Sequence, residues 1–100
     1  MKKLKTRIFD TAEFLSSEED MAAYLEAALS EGDPSLVVQA LGAIAKARGM
    51  AQISKSSGLR RESLYKALSP EGNPEFNTVL KVVKALGLRL HAEKIHAPAH

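Results

Sequence analysis

The 100 residues predict one mainly α domain of about five helices built around a helix-turn-helix, with a short β-strand near the C-terminal end. Three observations carry that prediction. Apolar residues recur at helical spacing in successive blocks, and glycines separate the blocks. Residues 50–68, MAQISKSSGLRRESLYKAL, have the spacing of two short helices hinged at Gly58. Leu88, Leu90 and Ala92 alternate with Arg89, His91 and Glu93, as in a half-buried strand. The length fits a single domain (1–100), read as an acidic helical flank over 10–33, a helical core over 35–87 and a strand over 88–95.

Taken in order, residues 3–9 alternate Leu4, Thr6 and Ile8 with Lys3, Lys5 and Arg7, a weak strand signal or a basic arm. Asp10 is placed to cap a short helix through Leu15. Ser17 with Asp20 three residues later reads as a capping box, opening a helix with Met21, Tyr24, Leu25, Ala28 and Leu29 at helical spacing and Gly32 to end it. Asp33 and Pro34 are an N-cap and a first-turn proline. The helix they open carries Leu36, Val37, Ala40, Leu41 and Ile44 on one side and stops at Gly49.

In the next unit Ile53, Leu59 and Leu64 form the apolar wedge between two helices, Ser54 is small where the helices cross closely, and Gly58 supplies the positive φ of the turn. Ser69, Pro70, Glu71, Gly72, Asn73 and Pro74 predict a loop. Phe76, Val79, Leu80, Val83 and Leu86 mark a last amphipathic helix that Gly87 ends. The strand after it leaves backbone donors and acceptors open, so it needs a partner: residues 3–9, the same strand of a second subunit, or a strand of another protein.

The net charge of +2 hides a strong segregation. Residues 1–7 carry four bases and no acid, residues 10–33 eight acids and no base, and residues 46–66 six bases against the single acid Glu62. Surfaces of opposite sign point to two partners, against a reading of solvated helix faces. The absence of cysteine excludes disulfides, thiol catalysis and thiolate metal sites. No apolar run approaches the ~20 residues of a membrane helix and the N-terminus lacks a signal-peptide core, so a cytoplasmic protein with no membrane partner is expected.

With Leu59 and Leu64 inward, the second helix of the hinged pair turns Arg61, Glu62, Ser63, Tyr65 and Lys66 outward. In this geometry its N-terminal end meets base edges. Arg61 is suited to guanine O6 and N7, worth about 1–3 kcal/mol of discrimination, and Ser63 to a base or a phosphate. Lys66 and Lys55 read as phosphate contacts, and Arg60 stands where a capping hydroxyl is usual. The competing reading makes Glu62 and Lys66 an i,i+4 pair that stabilises an exposed helix. Glu18, Glu19 and Glu26 are candidate contacts for a basic protein. The three histidines lie in the last strand and tail, and no Gly-rich phosphate loop is present. No enzyme activity, metal or cofactor is expected.

Residues 9–90 resemble the addiction module antidote proteins, small antitoxins related to the host-inhibition antitoxins that carry a helix-turn-helix of the Cro and phage-repressor type. The resemblance rests on Tyr24 and Leu25 ahead of Gly32, Asp33 and Pro34; on AKARGM at 45–50; on LYKALS at 64–69; and on Gly72, Asn73 and Pro74 before Leu86 and Gly87. It implies an antitoxin of a type II toxin–antitoxin module. Such a protein captures a small basic toxin from the adjacent gene, of ribonuclease-like or gyrase-poisoning type, and represses the shared operon by binding operator DNA as a homodimer. Met50 departs from the glutamine that often begins the first helix of the pair, and Arg60 from the usual small hydroxyl residue. A protein-only inhibitor or adaptor with a structural helix-turn-helix, and a stand-alone transcriptional repressor, are the alternatives.

Overall fold

The computed structural model describes residues 15–95, which form five helices: α1 (Glu18–Glu31), α2 (Pro34–Arg48), α3 (Met50–Ser57), α4 (Arg61–Ala67) and α5 (Phe76–Ala85). The expected features of residues 3–9 and the short helix opened by Asp10 lie outside the described residues.

Local chemistry sets each boundary. The Ser17 hydroxyl accepts the Asp20 N–H at 3.1 Å and opens α1. Gly32, left-handed at φ 74°, closes it by donating to the Leu29 carbonyl. Asp33 Oδ1 accepts the Ser35 N–H at 2.9 Å, and Pro34 occupies the first turn of α2, where its missing N–H costs nothing. α5 ends in a Schellman arrangement: Gly87 N–H donates to the Lys84 carbonyl and Leu88 N–H to that of Val83. That turn sends the chain back over the core.

The core is one cluster. Met21 and Leu25 of α1 meet Ala40, Leu41, Ile44 and Ala45 of α2, Met50 and Ile53 of α3, Leu64 of α4, and Val82, Val83 and Leu86 at the end of α5. Leu41, Ile44, Ile53, Leu64, Val82 and Leu86 are wholly excluded from solvent. α1 packs on α2, while α3 touches α2, α4 and α5 and is the hub. Each excluded aliphatic side chain contributes roughly 1.5–3 kcal/mol relative to exposure.

Two expectations are corrected. Residues 88–95 form no strand. Among the described residues nothing offers them a ladder, and a strand exists only through its neighbour. The alternation itself is observed: Leu88 and Leu90 lean on the core while Arg89 and His91 are exposed. The apolar stripe of α5 is also narrower than its period suggested. Phe76 and Leu80 are 66% and 41% exposed, and burial falls on Val82, Val83 and Leu86. Val79, between them in sequence, packs against the core, so Phe76 and Leu80 stand at the rim of the buried face and correct spacing leaves two large side chains in water.

Candidate nucleic-acid interface

α3 and α4 are joined by three residues, 58–60. Gly58 has φ 80° and donates its N–H to the Ser54 carbonyl. Ser54 and Ser57 complete the corner: the Ser54 hydroxyl donates to the Leu59 carbonyl, and the Ser57 hydroxyl accepts the Leu59 N–H at 3.1 Å. Ser54 is therefore more than a small residue at a crossing, because its hydroxyl satisfies a carbonyl that the turn would otherwise leave open. That role could not be read from spacing. Ile53 and Leu64, both fully buried, and the half-buried Leu59 hold the two helices together.

The corner turns α4 outward on every side but one. Leu64 is its single fully buried residue, whereas Arg61, Glu62, Ser63, Tyr65 and Lys66 are exposed, Tyr65 to 47%. Arg60 is the N-cap residue, in extended conformation and with no side-chain cap bond, so its guanidinium is committed to nothing within the turn. Lys55, on α3, is exposed as well. All six candidate DNA contacts are thus accessible, five of them on or at the start of one seven-residue helix. Met50, by contrast, is 7% exposed and apolar, and takes part in the core.

Beside α4 lies a cleft of about 560 Å³ between the helix, the loop after it and the start of α5. Ser63, Lys66, Ser69, Asn73 and Thr78 line it, with Glu71 opposing the one base. Asn73 and Thr78 enter this lining without a sequence signal for it, because Asn73 reads as a turn former and Thr78 as an ordinary helix position.

The basic centre and acidic flank are not independent. Arg48 Nη2 reaches Glu18 Oε2 at 3.1 Å, fastening the end of α2 to the start of α1. Arg48 also touches the Met21 sulfur at 3.8 Å. Both charges are partly solvated, so the bridge contributes about 0–1 kcal/mol. It removes Glu18 from the freely available carboxylates and Arg48 from the free bases. Glu19 and Glu26, seven residues apart, share one side of α1, where Glu26 borders a groove with residues 87–91. On the other side Tyr24 and Glu31 line a second groove with Leu36 and Gln39 of α2.

Among the described residues no group of three or more His, Cys, Asp or Glu is placed to hold a metal ion. No helix among them is long and apolar enough to cross a membrane.

Gly58→Val measures how far the corner depends on its backbone. Nothing lies within 4 Å of a Cβ added there, so the cost is conformational. A β-branched residue held at positive φ is expected to cost about 1–3 kcal/mol. Chemical denaturation reads this directly, and an unchanged midpoint would show that the turn relaxes to negative φ.

Comparison with known proteins gives a consistent result. A family model described as "Probable addiction module antidote protein" matches residues 5–94. A Haemophilus influenzae protein named "Uncharacterized protein" is 51% identical over 86 residues, covering 86% of this chain and 89% of its own length. No solved structure matches.

Proposed function

Because the chain belongs to the family of addiction module antidote proteins, we propose that it is the antitoxin of a type II toxin–antitoxin module. In this reading it neutralises a small basic toxin by direct binding. As a homodimer it also represses its own operon through α3 and α4, acting as a helix-turn-helix of the Cro and phage-repressor type. The observation that carries the DNA half is the exposure of Arg60, Arg61, Ser63, Tyr65 and Lys66 on a helix anchored from behind by Leu64. The base-reading role falls to Arg61 and Ser63, and phosphate contact to Lys55, Arg60 and Lys66. The cleft beside Lys66 gives the DNA backbone room to pass, with Asn73 and Thr78 as further donors.

The toxin half is supported by the carboxylates of α1. With Glu18 held by Arg48, a basic partner meets Glu19 on one side and Glu31, beside the exposed ring of Tyr24, on the other. Tyr24 and Leu36, 36% and 37% exposed, are the apolar anchors that such a contact needs.

A gel-shift titration against the region upstream of its own gene, at two salt concentrations, tests the DNA claim. Sequence-preferring binding that weakens with salt is expected; no preference over unrelated DNA would overturn it. Arg61→Ala should weaken operator binding about 5- to 150-fold, the equivalent of 1–3 kcal/mol, with an unchanged melting temperature. Undiminished affinity would remove Arg61 from the reading set. Reversal of Glu19 and Glu31 to Lys together is expected to weaken capture of the protein encoded next to it and to spare DNA binding. Equal capture by parent and variant in calorimetry would return these carboxylates to a solubilising role.

One observation favours a second reading. Met50 is buried where repressors of the class it resembles often begin the first helix of the pair with a phosphate-holding glutamine. A protein-only inhibitor whose helix pair is structural accounts for that, and the same gel shift separates the two.

A further inference from the structure

Two grooves run along either side of residues 87–91, and Arg89 lines both. One is closed by α1 through Ala22, Leu25, Glu26 and Leu29, and Glu26 is its one acid. The other is closed by α5 through Leu80, Lys81, Val83 and Lys84, with Arg89, and carries three bases and no acid. Both have a large exposed aliphatic group at the rim: Leu29 is 39% and Leu80 41% exposed, and Phe76, one turn before Leu80 on the same face of α5, is 66% exposed. Between the grooves, residues 89–95 make no backbone hydrogen bond to another described residue.

We propose that a second copy of this chain docks here, with a two-fold axis through His91, so that residues 88–95 of the two copies pair antiparallel and Glu26 of each copy meets the other copy's basic groove. The inference rests on the homodimer named above and supplies its interface. A two-fold axis makes an interface self-complementary, residue i meeting j and j meeting i. Glu26 on the α1 side and Lys81 with Lys84 on the α5 side supply that complementarity. Glu26 then faces Lys81 and Lys84 of the second copy, twice, and Glu19, which does not line the groove, stays free for the toxin.

The register follows from the sequence. With His91 on the axis, Arg89 stands opposite Glu93 of the second copy and Leu90 opposite Ala92, which places opposite charges and apolar groups in directly facing pairs. A shift of one residue would turn Leu88 and Leu90 away from the core on which they lie. Leu29 and Leu80, otherwise wet, cover one another across the axis. The chain's own residues 3–9 are the poorer occupant, since Lys3, Lys5 and Arg7 would meet Lys81, Lys84 and Arg89 with like charge.

Sedimentation velocity of the full chain without DNA or toxin tests the interface. Glu26→Lys and Lys84→Glu should each raise the dimer dissociation constant about tenfold or more, the equivalent of at least 1.4 kcal/mol. An equimolar mixture of the two variants should restore the dimer, because both charge pairs re-form between unlike chains. The chain has no cysteine, so His91→Cys adds a single thiol; it should oxidise to a crosslinked dimer at least tenfold faster than Lys94→Cys. A dimeric parent whose variants neither dissociate nor rescue one another overturns this interface and leaves the dimer. Equal crosslinking at the two positions overturns the register. A parent that stays monomeric overturns the dimer reading itself, and pairing within one chain is then the occupant of the edge.

Discussion

Leu64→Ala is expected to lower the unfolding free energy by about 2–5 kcal/mol. At ~4–8 °C per kcal/mol for a domain of this size, the melting temperature should fall by roughly 8–40 °C. The reason lies in how α4 is attached. Leu64 is the one fully buried residue of its seven, closed in with Ile53, which is likewise inaccessible, while the other outward side chains of the helix lie in solvent. A helix this short has almost no intrinsic stability in water. Removing three carbons therefore loses transfer free energy, leaves a cavity beneath the helix, and frees the element proposed to read DNA. Tyr65→Ala, one residue on and 47% exposed, is the control: it should melt near the parent while losing DNA affinity. Thermal unfolding followed by circular dichroism separates the two. Similar melting temperatures for both variants would show that α4 is held by the loop after it rather than by its own apolar contact.

What could be read from the chain follows from the range over which each signal acts. Ser17, Asp33 with Pro34, Gly32 and Gly58 each act on backbone groups within a few residues, so they placed both ends of α1, the start of α2 and the end of α3 in advance. The wedge of Ile53, Leu59 and Leu64 was legible for the same reason, since two short helices and a three-residue corner leave few ways to bury three apolar groups. The strand was not. Its alternation says which side chains turn inward, and Leu88 and Leu90 do, but a ladder depends on residues far away or on another chain. Phe76 and Leu80 show the same limit in a helix: the period gives the direction of the apolar face, and the neighbours decide how far around the helix the core reaches. Charge was the least legible. Glu18 looked as available as Glu19 until its bridge to Arg48, thirty residues away, tied it to the scaffold.

Gly72→Ala should be nearly as damaging as a core truncation, for a reason unlike that at Gly58. A Cβ at Gly72 would stand 2.2 Å from the Ala67 carbonyl oxygen and 2.7 Å from that of Lys66. Both are backbone atoms, so no side chain can swing aside, and the loop must lift off the end of α4. Lifting breaks the turn that closes this helix. Gly72 N–H donates to the Ser69 carbonyl at 2.8 Å, and the Ser69 hydroxyl and N–H both donate to the Lys66 carbonyl. Overpacking of about 1–3 kcal/mol and the loss of one or two hydrogen bonds at about 0.5–1.5 kcal/mol each give an expected cost of roughly 1.5–6 kcal/mol. The order of two alanine variants discriminates. Gly58→Ala meets no atom within 4 Å and bears only the left-handed backbone, so its urea midpoint should lie above that of Gly72→Ala. The reverse order would mean that the loop yields easily and that the cleft lined by Lys66 and Asn73 is not fixed in shape. Under the proposed function, a fixed cleft instead predicts that Gly72→Ala weakens DNA binding beyond its effect on folding, because the same displacement moves Asn73 away from the phosphate path proposed beside α4.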